Sequence, residues 1–220
     1  TGGDGHDKYE VDDINDQVVE LADEGTDQVY ASVSYSLSDH VERLYLRGLA
    51  DIDATGNAED NIIEGNDGDN LIDGAAGDDR LTGGDGDDTY TVDSARDRVN
   101  EARNEGFDTV LASVSYTLAR NVEALTLTGN ADLQAVGNHL DNIIIGNGGN
   151  NRIIGNIGND TLTGGAGEDA FIFNQRLDID RNVDTITDFD AASDRFVLSH
   201  SVFSKIKITG RIDEAMFHTG

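Results

Sequence analysis

Acidic side chains recur in this chain at one fixed place in a nine-residue phrase. From Gly56 the phrases read GNAEDNIIE, GNDGDNLID, GAAGDDRLT and GGDGDDTYT. From Gly137 they read GNHLDNIII, GNGGNNRII, GNIGNDTLT and GGAGEDAFI, and GGDGHDKYE at Gly2 is a ninth. Position one is always Gly, position four mostly Gly, position six Asp or Asn, and position eight Ile, Leu, Tyr or Phe. Such spacing can do one kind of chemistry. It collects oxygen donors of like charge, which repel one another unless a cation lies between them.

The elements that would position those donors follow from the same phrase. Its first six residues bend the chain, using backbone conformations open to glycine. Its last three form a short strand whose position-eight side chain points inward. Two nonapeptides close one coil of a flattened solenoid, so residues two phrases apart stack about 4.8 Å from each other. A hard divalent cation between successive position-six side chains turns the repulsive ladder into a ligand set. Calcium, which accepts about 6–8 oxygens in loose geometry, suits it better than magnesium.

Counting along the coils names the candidates. One column runs Asn61, Asp79, Asp97, and the other Asn70, Asp88, Asp108, the last step being slightly longer than the rest. In the second block the columns are Asn142 with Asp160 and Asn151 with Asp169, expected to continue into Asp184 and Asp188. After the opening phrase, Asp7 leads to Asp16 and Asp27. Backbone carbonyls near Gly2, Gly56, Gly65, Gly74, Gly83, Gly137, Gly146, Gly155 and Gly164 complete the expected sites. Adjacent pairs give about eight calcium ions, enough to cancel somewhat more than half of a net charge of -29. Asn at position six weakens its own sites. Asp67, Asp69, Asp78, Asp85 and Asp87 occupy variable loop positions and read as solvated acids.

A longer period encloses the short one. When Thr1 is laid on Thr82, more than half of the positions from Thr1 to Leu81 match Thr82 to Leu162, and no gap is needed. Between the nonapeptide blocks, VYASVSYSL (Val29 to Leu37) and VLASVSYTL (Val110 to Leu118) alternate with period two and predict longer strands with one buried face. The solenoid is expected to continue through them in wider coils without calcium; a globular insertion is the alternative. The expected organisation is residues 1–55, the end of a preceding roll with connecting coils; 56–91, the first nonapeptide block; 92–136, connecting coils; 137–172, the second block; and 173–220, an incomplete capping segment.

The nine phrases resemble the RTX (repeats-in-toxin) nonapeptide, whose signature G-G-x-G-x-D-x-U-x marks calcium-binding β-helices. The resemblance implies an all-β fold, a parallel β-roll with calcium between stacked Gly-Asp turns, calcium-dependent folding and type I secretion from a bacterium. The stretch VDTITDFDAASDRFVL (Val183 to Leu198) is similar to the segment that caps the roll in serralysin-type secreted metalloproteases. The family's terminal secretion signal is not recognised after it, and the chain, opening mid-repeat without Met, reads as a piece of a longer protein.

Composition narrows the function further. The 44 acidic residues against 15 basic ones make nucleic acid a poor partner, since phosphate binding needs clustered Lys and Arg. There is no apolar run near the ~20 residues of a membrane span. Cysteine is absent, which removes disulfides and thiolate metal sites. The histidines form no metal-binding pair, no nucleophile elbow is present, and calcium ligation accounts for the paired acids, so no active site is expected. Tyr35 and Tyr116 read as packing residues rather than sugar platforms. Outward ranks of Thr, which an ice-binding solenoid would need, are not evident. The expected function is a monomeric, extracellular calcium-binding module that folds after export and supports an effector outside these residues. The alternative is a polysaccharide-binding or adhesive module, for which basic residues on an exposed sheet face are few.

Overall fold

The computed structural model describes residues 1–175, 182–200 and 202. Short strands, separated by Gly-rich bends, stack in parallel into three sheets. One sheet of six contains β1 (Lys8–Val11), β2 (Gln28–Ala31), β4 (Arg43–Leu46), β6 (Ile62–Glu64), β8 (Arg80–Thr82) and β10 (Arg98–Asn100). A sheet of five on the same flank contains β12 (Tyr116–Thr117), β14 (Gln134–Val136), β16 (Arg152–Ile154), β18 (Ala170–Phe173) and β20 (Arg195–Leu198). The opposite sheet begins with β3 (Tyr35–Ser36), β5 (Ala54–Thr55), β7 (Leu71–Asp73) and β9 (Thr89–Val92). It continues with β11 (Thr109–Ala112), β13 (Ala124–Leu127), β15 (Ile143–Ile145), β17 (Thr161–Thr163) and β19 (Thr185–Ile186). From β2 onward the chain alternates between flanks, which makes it a parallel β-solenoid of about nine turns.

Position eight fills the interior. Val29, Leu44, Ile63, Leu81 and Val99 lie in register down one flank, and Ile72, Tyr90, Val110, Leu125, Ile144 and Leu162 down the other. All are buried. The sheet ladders satisfy the backbone of each strand, so burial of one inward residue per strand suffices to hold it.

Glycine at position one is required by the stacking itself. A Cβ on Gly65 would collide with the carbonyl oxygen of Gly83 in the next coil and with Asn70 Oδ1. The substitution Gly65→Ala is expected to cost about 3 kcal/mol, the upper range for forcing a methyl into a packed interior, measured as a fall in the urea midpoint in saturating calcium.

The connecting segments differ from expectation. Each alternating run breaks at a corner instead of forming one long strand. Ala31 ends β2 and Tyr35 begins β3 in the opposite sheet, and the same split separates β11 from β12. Each flank of a flattened coil takes only a short strand, so an unbroken run from Val29 to Leu37 would overrun it. Val33 and Val114 keep the period by packing at the corner. Nor are these coils uniformly wider. Gln28 pairs with Lys8 and Ile62 with Arg43 across steps longer than two nonapeptides, whereas Arg43 pairs with Gln28 across a shorter one.

The long period contains nine nonapeptide lengths, an odd number, so each strand of the second copy falls on the opposite flank from its counterpart. The two flanks therefore carry different outward faces. On the six-stranded sheet, Lys8, Gln28, Arg43, Ile62, Arg80 and Arg98 share a register line. Beside it Tyr30 and Tyr45 stack with centroids 5.0 Å apart, and the Arg47 guanidinium lies 4.4 Å from the Tyr30 ring centre. On the nine-stranded sheet, Thr89, Thr109, Ala124, Ile143, Thr161 and Thr185 form one line, and Thr91, Leu111, Thr126, Ile145 and Thr163 the next. The sequence hides these threonine ranks because their members stand whole coils apart, and the coils are unequal in length.

Candidate metal centres

Every position-six residue sits at a corner where its backbone N–H points along the solenoid axis. That N–H donates to a carboxylate of the next coil: Asn61 to Asp79 Oδ1 at 2.7 Å, Asp79 to Asp97 Oδ1 at 3.0 Å, Asn70 to Asp88 Oδ1 at 2.8 Å and Asp88 to Asp108 Oδ1 at 3.0 Å. The opening phrase repeats it from Asp7 to Asp27 at 2.8 Å, and the second block from Asn142 to Asp160 at 2.8 Å and Asn151 to Asp169 at 2.7 Å. The ladders anticipated by counting are therefore physical columns. They extend further than the sequence indicated, because Asp27 N–H donates to Glu42 Oε2 and Asp108 N–H to Glu123 Oε2.

Two expected members fall elsewhere. Asp160 N–H donates to Asp184 Oδ1 as expected, but Asp169 N–H donates to Asp194 Oδ1, not to Asp188. A turn over Asp190–Asp194 carries the chain around the corner and delivers Asp194 to the column, while Asp188 accepts from the N–H groups of Gly164 and Gly165. Asp16 is exposed and closes its own turn by accepting from Asp12 and Asp13 N–H. Its counterpart Asp97 is buried, since Asp79 lies in the coil beneath it. The variable-position acids stand outside the columns. Asp51, Asp69 and Asp87 build an outer ladder of their own, each accepting the N–H of the position-five residue or its equivalent in the next coil.

Asp and Asn at position six solve the corner differently. Asn61 Oδ1 accepts the Asn57 N–H, and its amide donates to Asn57 Oδ1; Asn70 does the same with Asn66. Asn70 also donates to the Ile52 carbonyl at 2.7 Å, while the Asn57 amide holds the Ser38 and Val41 carbonyls at 2.8 Å. Asn151 with Asn147 repeats the arrangement, whereas Asn142 Oδ1 accepts the Asn138 N–H but its amide donates to the Val122 and Glu123 carbonyls at 3.1 and 3.2 Å. These amide clamps bind carbonyls with protons where a cation would otherwise do so. The position-two asparagines were missed in the sequence, although GN opens all four Asn-bearing lines.

Where Asp occupies position six, one oxygen is left over. The Oδ2 atoms of Asp7, Asp27, Asp79, Asp88, Asp160 and Asp169 are buried without a hydrogen-bond partner. Those of Asp79, Asp88, Asp160 and Asp169 press against the position-one glycines of their own lines, where a Cβ would collide with them. Burial pushes Asp79 up to about 7, repulsion from Asp97 adding to it against the Asn61 N–H bond. Asp88 and Asp160 also reach about 7 and Asp108 about 6, in each case mainly through burial. Buried polar atoms in native proteins are otherwise nearly always paired. Oxygen donors, negative charge, burial and want of a partner together fit a hard cation. The residues present therefore suit calcium at the Asp lines and amide clamping at the Asn lines.

Other sequence candidates have ordinary surroundings. Tyr116 is buried, and the Tyr35 hydroxyl accepts the Val18 N–H at 3.3 Å, so both pack at sheet corners. His6 accepts the Thr26 N–H, and His40 meets Glu59 at the surface. Among the described residues, no helix is long and apolar enough to cross a membrane.

Fold and ladder together define a parallel β-solenoid whose corners are built from stacked Gly-Asp and Gly-Asn turns. Within it, residues 55–90 and 136–171 match the family model of the RTX calcium-binding nonapeptide repeat (4 copies). No curated protein and no solved structure matches the chain. The matched blocks coincide closely with those read from the glycine spacing.

Proposed function

We propose that the chain is a calcium-driven folding module of an exported bacterial protein, serving as scaffold for an effector elsewhere in that protein. The observation that supports this reading is the set of unpartnered, buried Asp oxygens at the corners. Without cations these corners oppose folding; with them they become cross-links between coils. Cytosolic calcium is too low to fill weak sites, which leaves the chain extended for threading through a type I channel. Outside the cell, calcium at the ~0.1–1 mM level suited to extracellular modules binds the folded form and stabilises it by linkage. The ions fall on Asp7–Asp27, Asp79–Asp97, Asp88–Asp108, Asp160–Asp184 and Asp169–Asp194, fewer than one for every adjacent pair. Residues 183–198 then close the roll, since β19 and β20 each add to a sheet end. Equilibrium dialysis with metal analysis tests the assignment: Asp88→Asn with Asp160→Asn is expected to release about two ions, and unchanged stoichiometry would refute it.

A second reading, binding of an acidic polysaccharide, is favoured by the cation line on the six-stranded sheet. Lys8, Arg43, Arg80 and Arg98 are gathered there although basic residues are scarce in the chain. The tyrosines beside them face each other and Arg47, so recognition would rest on charge rather than ring stacking. In affinity electrophoresis through a polyuronate gel, wild-type protein with calcium should be retarded and the variant Arg43→Ala with Arg80→Ala should run freely. Equal mobility of the two removes this reading.

A further inference from the structure

Glu101 lies outside the nonapeptide phrase, yet it occupies a corner. It stands two nonapeptide lengths after Gly83, in the place where a regular coil would have its position-one glycine. The step from Asp88 to Asp108 is longer than a regular coil, and the wider bend lets the Glu101 side chain turn inward. One carboxylate oxygen from each of Asp88, Glu101 and Asp108 lies within 4.8 Å of the others. Asp88 and Asp108 are each 1 % exposed, and Asp88 Oδ2 and Glu101 Oε2 are buried without partners. The hydroxyl of Tyr90, itself fully buried, donates to Glu101 Oε1 and so directs Oε2 away from itself.

Part of the arrangement recurs, although among the described residues only the Asp88 group brings three carboxylate oxygens within 4.8 Å of one another. One long period earlier, on the opposite flank, the Tyr9 hydroxyl donates to Glu20 Oε1, which also accepts the Gly2 N–H at 2.9 Å. Asp7 N–H donates to Asp27 Oδ1, and Asp7 Oδ2, Glu20 Oε2 and Asp27 Oδ2 are all buried and unpartnered. Glu20 is 5 % exposed. No Lys or Arg is hydrogen-bonded or ion-paired to either triad among the described residues.

We propose that Asp88–Glu101–Asp108 and Asp7–Glu20–Asp27 are a second class of divalent-cation site, each holding one calcium-like ion through three carboxylates and a tyrosine-oriented glutamate. A Gly-Asp corner of the repeat draws on one carboxylate per coil and backbone carbonyls. These two sites add a third carboxylate from the wide coil, and the extra charge and hardness favour them for the tighter ions. They rest on the calcium reading and extend it to the connecting coils, where no nonapeptide phrase occurs. Each cross-links a repeat block to the first irregular coil that follows it.

The position of the tyrosine supplies the test. Terbium(III) replaces calcium at oxygen sites and luminesces when a nearby phenol is excited; the chain has six Tyr and no Trp. In the full chain, Glu20→Gln with Glu101→Gln should lower calcium stoichiometry by two in equilibrium dialysis while saturating calcium still gives the β spectrum. Tyr9→Phe with Tyr90→Phe should keep the stoichiometry and lose at least half of the sensitised terbium emission. Unchanged stoichiometry in the glutamate variant, or unchanged emission in the tyrosine variant, overturns the proposal. If the glutamate variant does not fold, the tyrosine variant, which keeps every carboxylate, decides alone. A wild-type chain that binds no calcium would instead refute the module's proposed function.

Discussion

Removal of calcium at neutral pH is expected to unfold most of the solenoid, and its return to rebuild it in one cooperative transition. The reason is the density of unpartnered charge. Two ionised carboxylates 4.8 Å apart, the limit of the Asp88–Glu101–Asp108 group, repel by about 3–4 kcal/mol at an effective dielectric near 20. Where burial keeps one protonated, as it does Glu101 at about 9, the cost appears as proton uptake instead, and buried unpartnered Asp oxygens recur at other corners. A folded protein of this size has only about 5–15 kcal/mol of net stability, so a few uncompensated corners consume it. Linkage works in the opposite direction. An ion at ten times its dissociation constant adds about 1.4 kcal/mol, so five such ions contribute about 7 kcal/mol. Far-UV circular dichroism during a calcium titration should therefore show a steep rise of β signal near the ~0.1–1 mM range of extracellular modules. Magnesium, which demands a near-ideal octahedron and gives up water reluctantly, should not reproduce it. A full β spectrum in chelator, unchanged by calcium, would mean that packing alone holds the roll.

Much of this is legible in the sequence alone. The nonapeptide gave the half-coil, its double gave the columns, and position eight gave the core, because in a regular solenoid each residue's neighbours lie a fixed number of positions away. Legibility ends where the step changes. The coil from Gln28 to Arg43 is shorter than two nonapeptides and that from Asp88 to Asp108 is longer, so counting by a fixed step lost Glu42, Glu101 and Glu123. Asp194 was lost in the same way, behind a turn that displaced Asp188 from the column. The signal for Glu101 was nonetheless present: a glutamate in the position-one place, repeated at Glu20. The sheet faces were illegible for another reason. An odd number of nonapeptides per long unit sends equivalent strands to opposite flanks, so neither the arginine line nor the threonine ranks appear as a run in the sequence.

Acid should stabilise the calcium-free chain, the reverse of its effect on the calcium-loaded one. In the folded form burial raises Asp79, Asp88 and Asp160 to about 7, Asp108 to about 6 and Glu101 to about 9, all above their ordinary values near 4. A carboxyl raised on folding binds more protons in the folded state, so stability falls as pH rises between the unfolded and folded values. In calcium-free buffer the urea midpoint is therefore lowest above about pH 9, where Glu101 too has lost its proton; it climbs steeply between about pH 8 and 5 and levels off below about 4. With calcium the ligands must be deprotonated to bind, so the same acidification releases ions and lowers the midpoint. The two curves should converge. Relief of the chain's overall charge of -29 would also favour compaction in acid, but salt distinguishes that cause. At 1 M ionic strength the Debye length is about 3 Å, which screens exposed charges far more than buried ones. A rise in the calcium-free midpoint that persists in high salt locates the protons in the buried corners. A rise abolished by salt would place them on the surface and remove the buried ladder as the origin of calcium dependence.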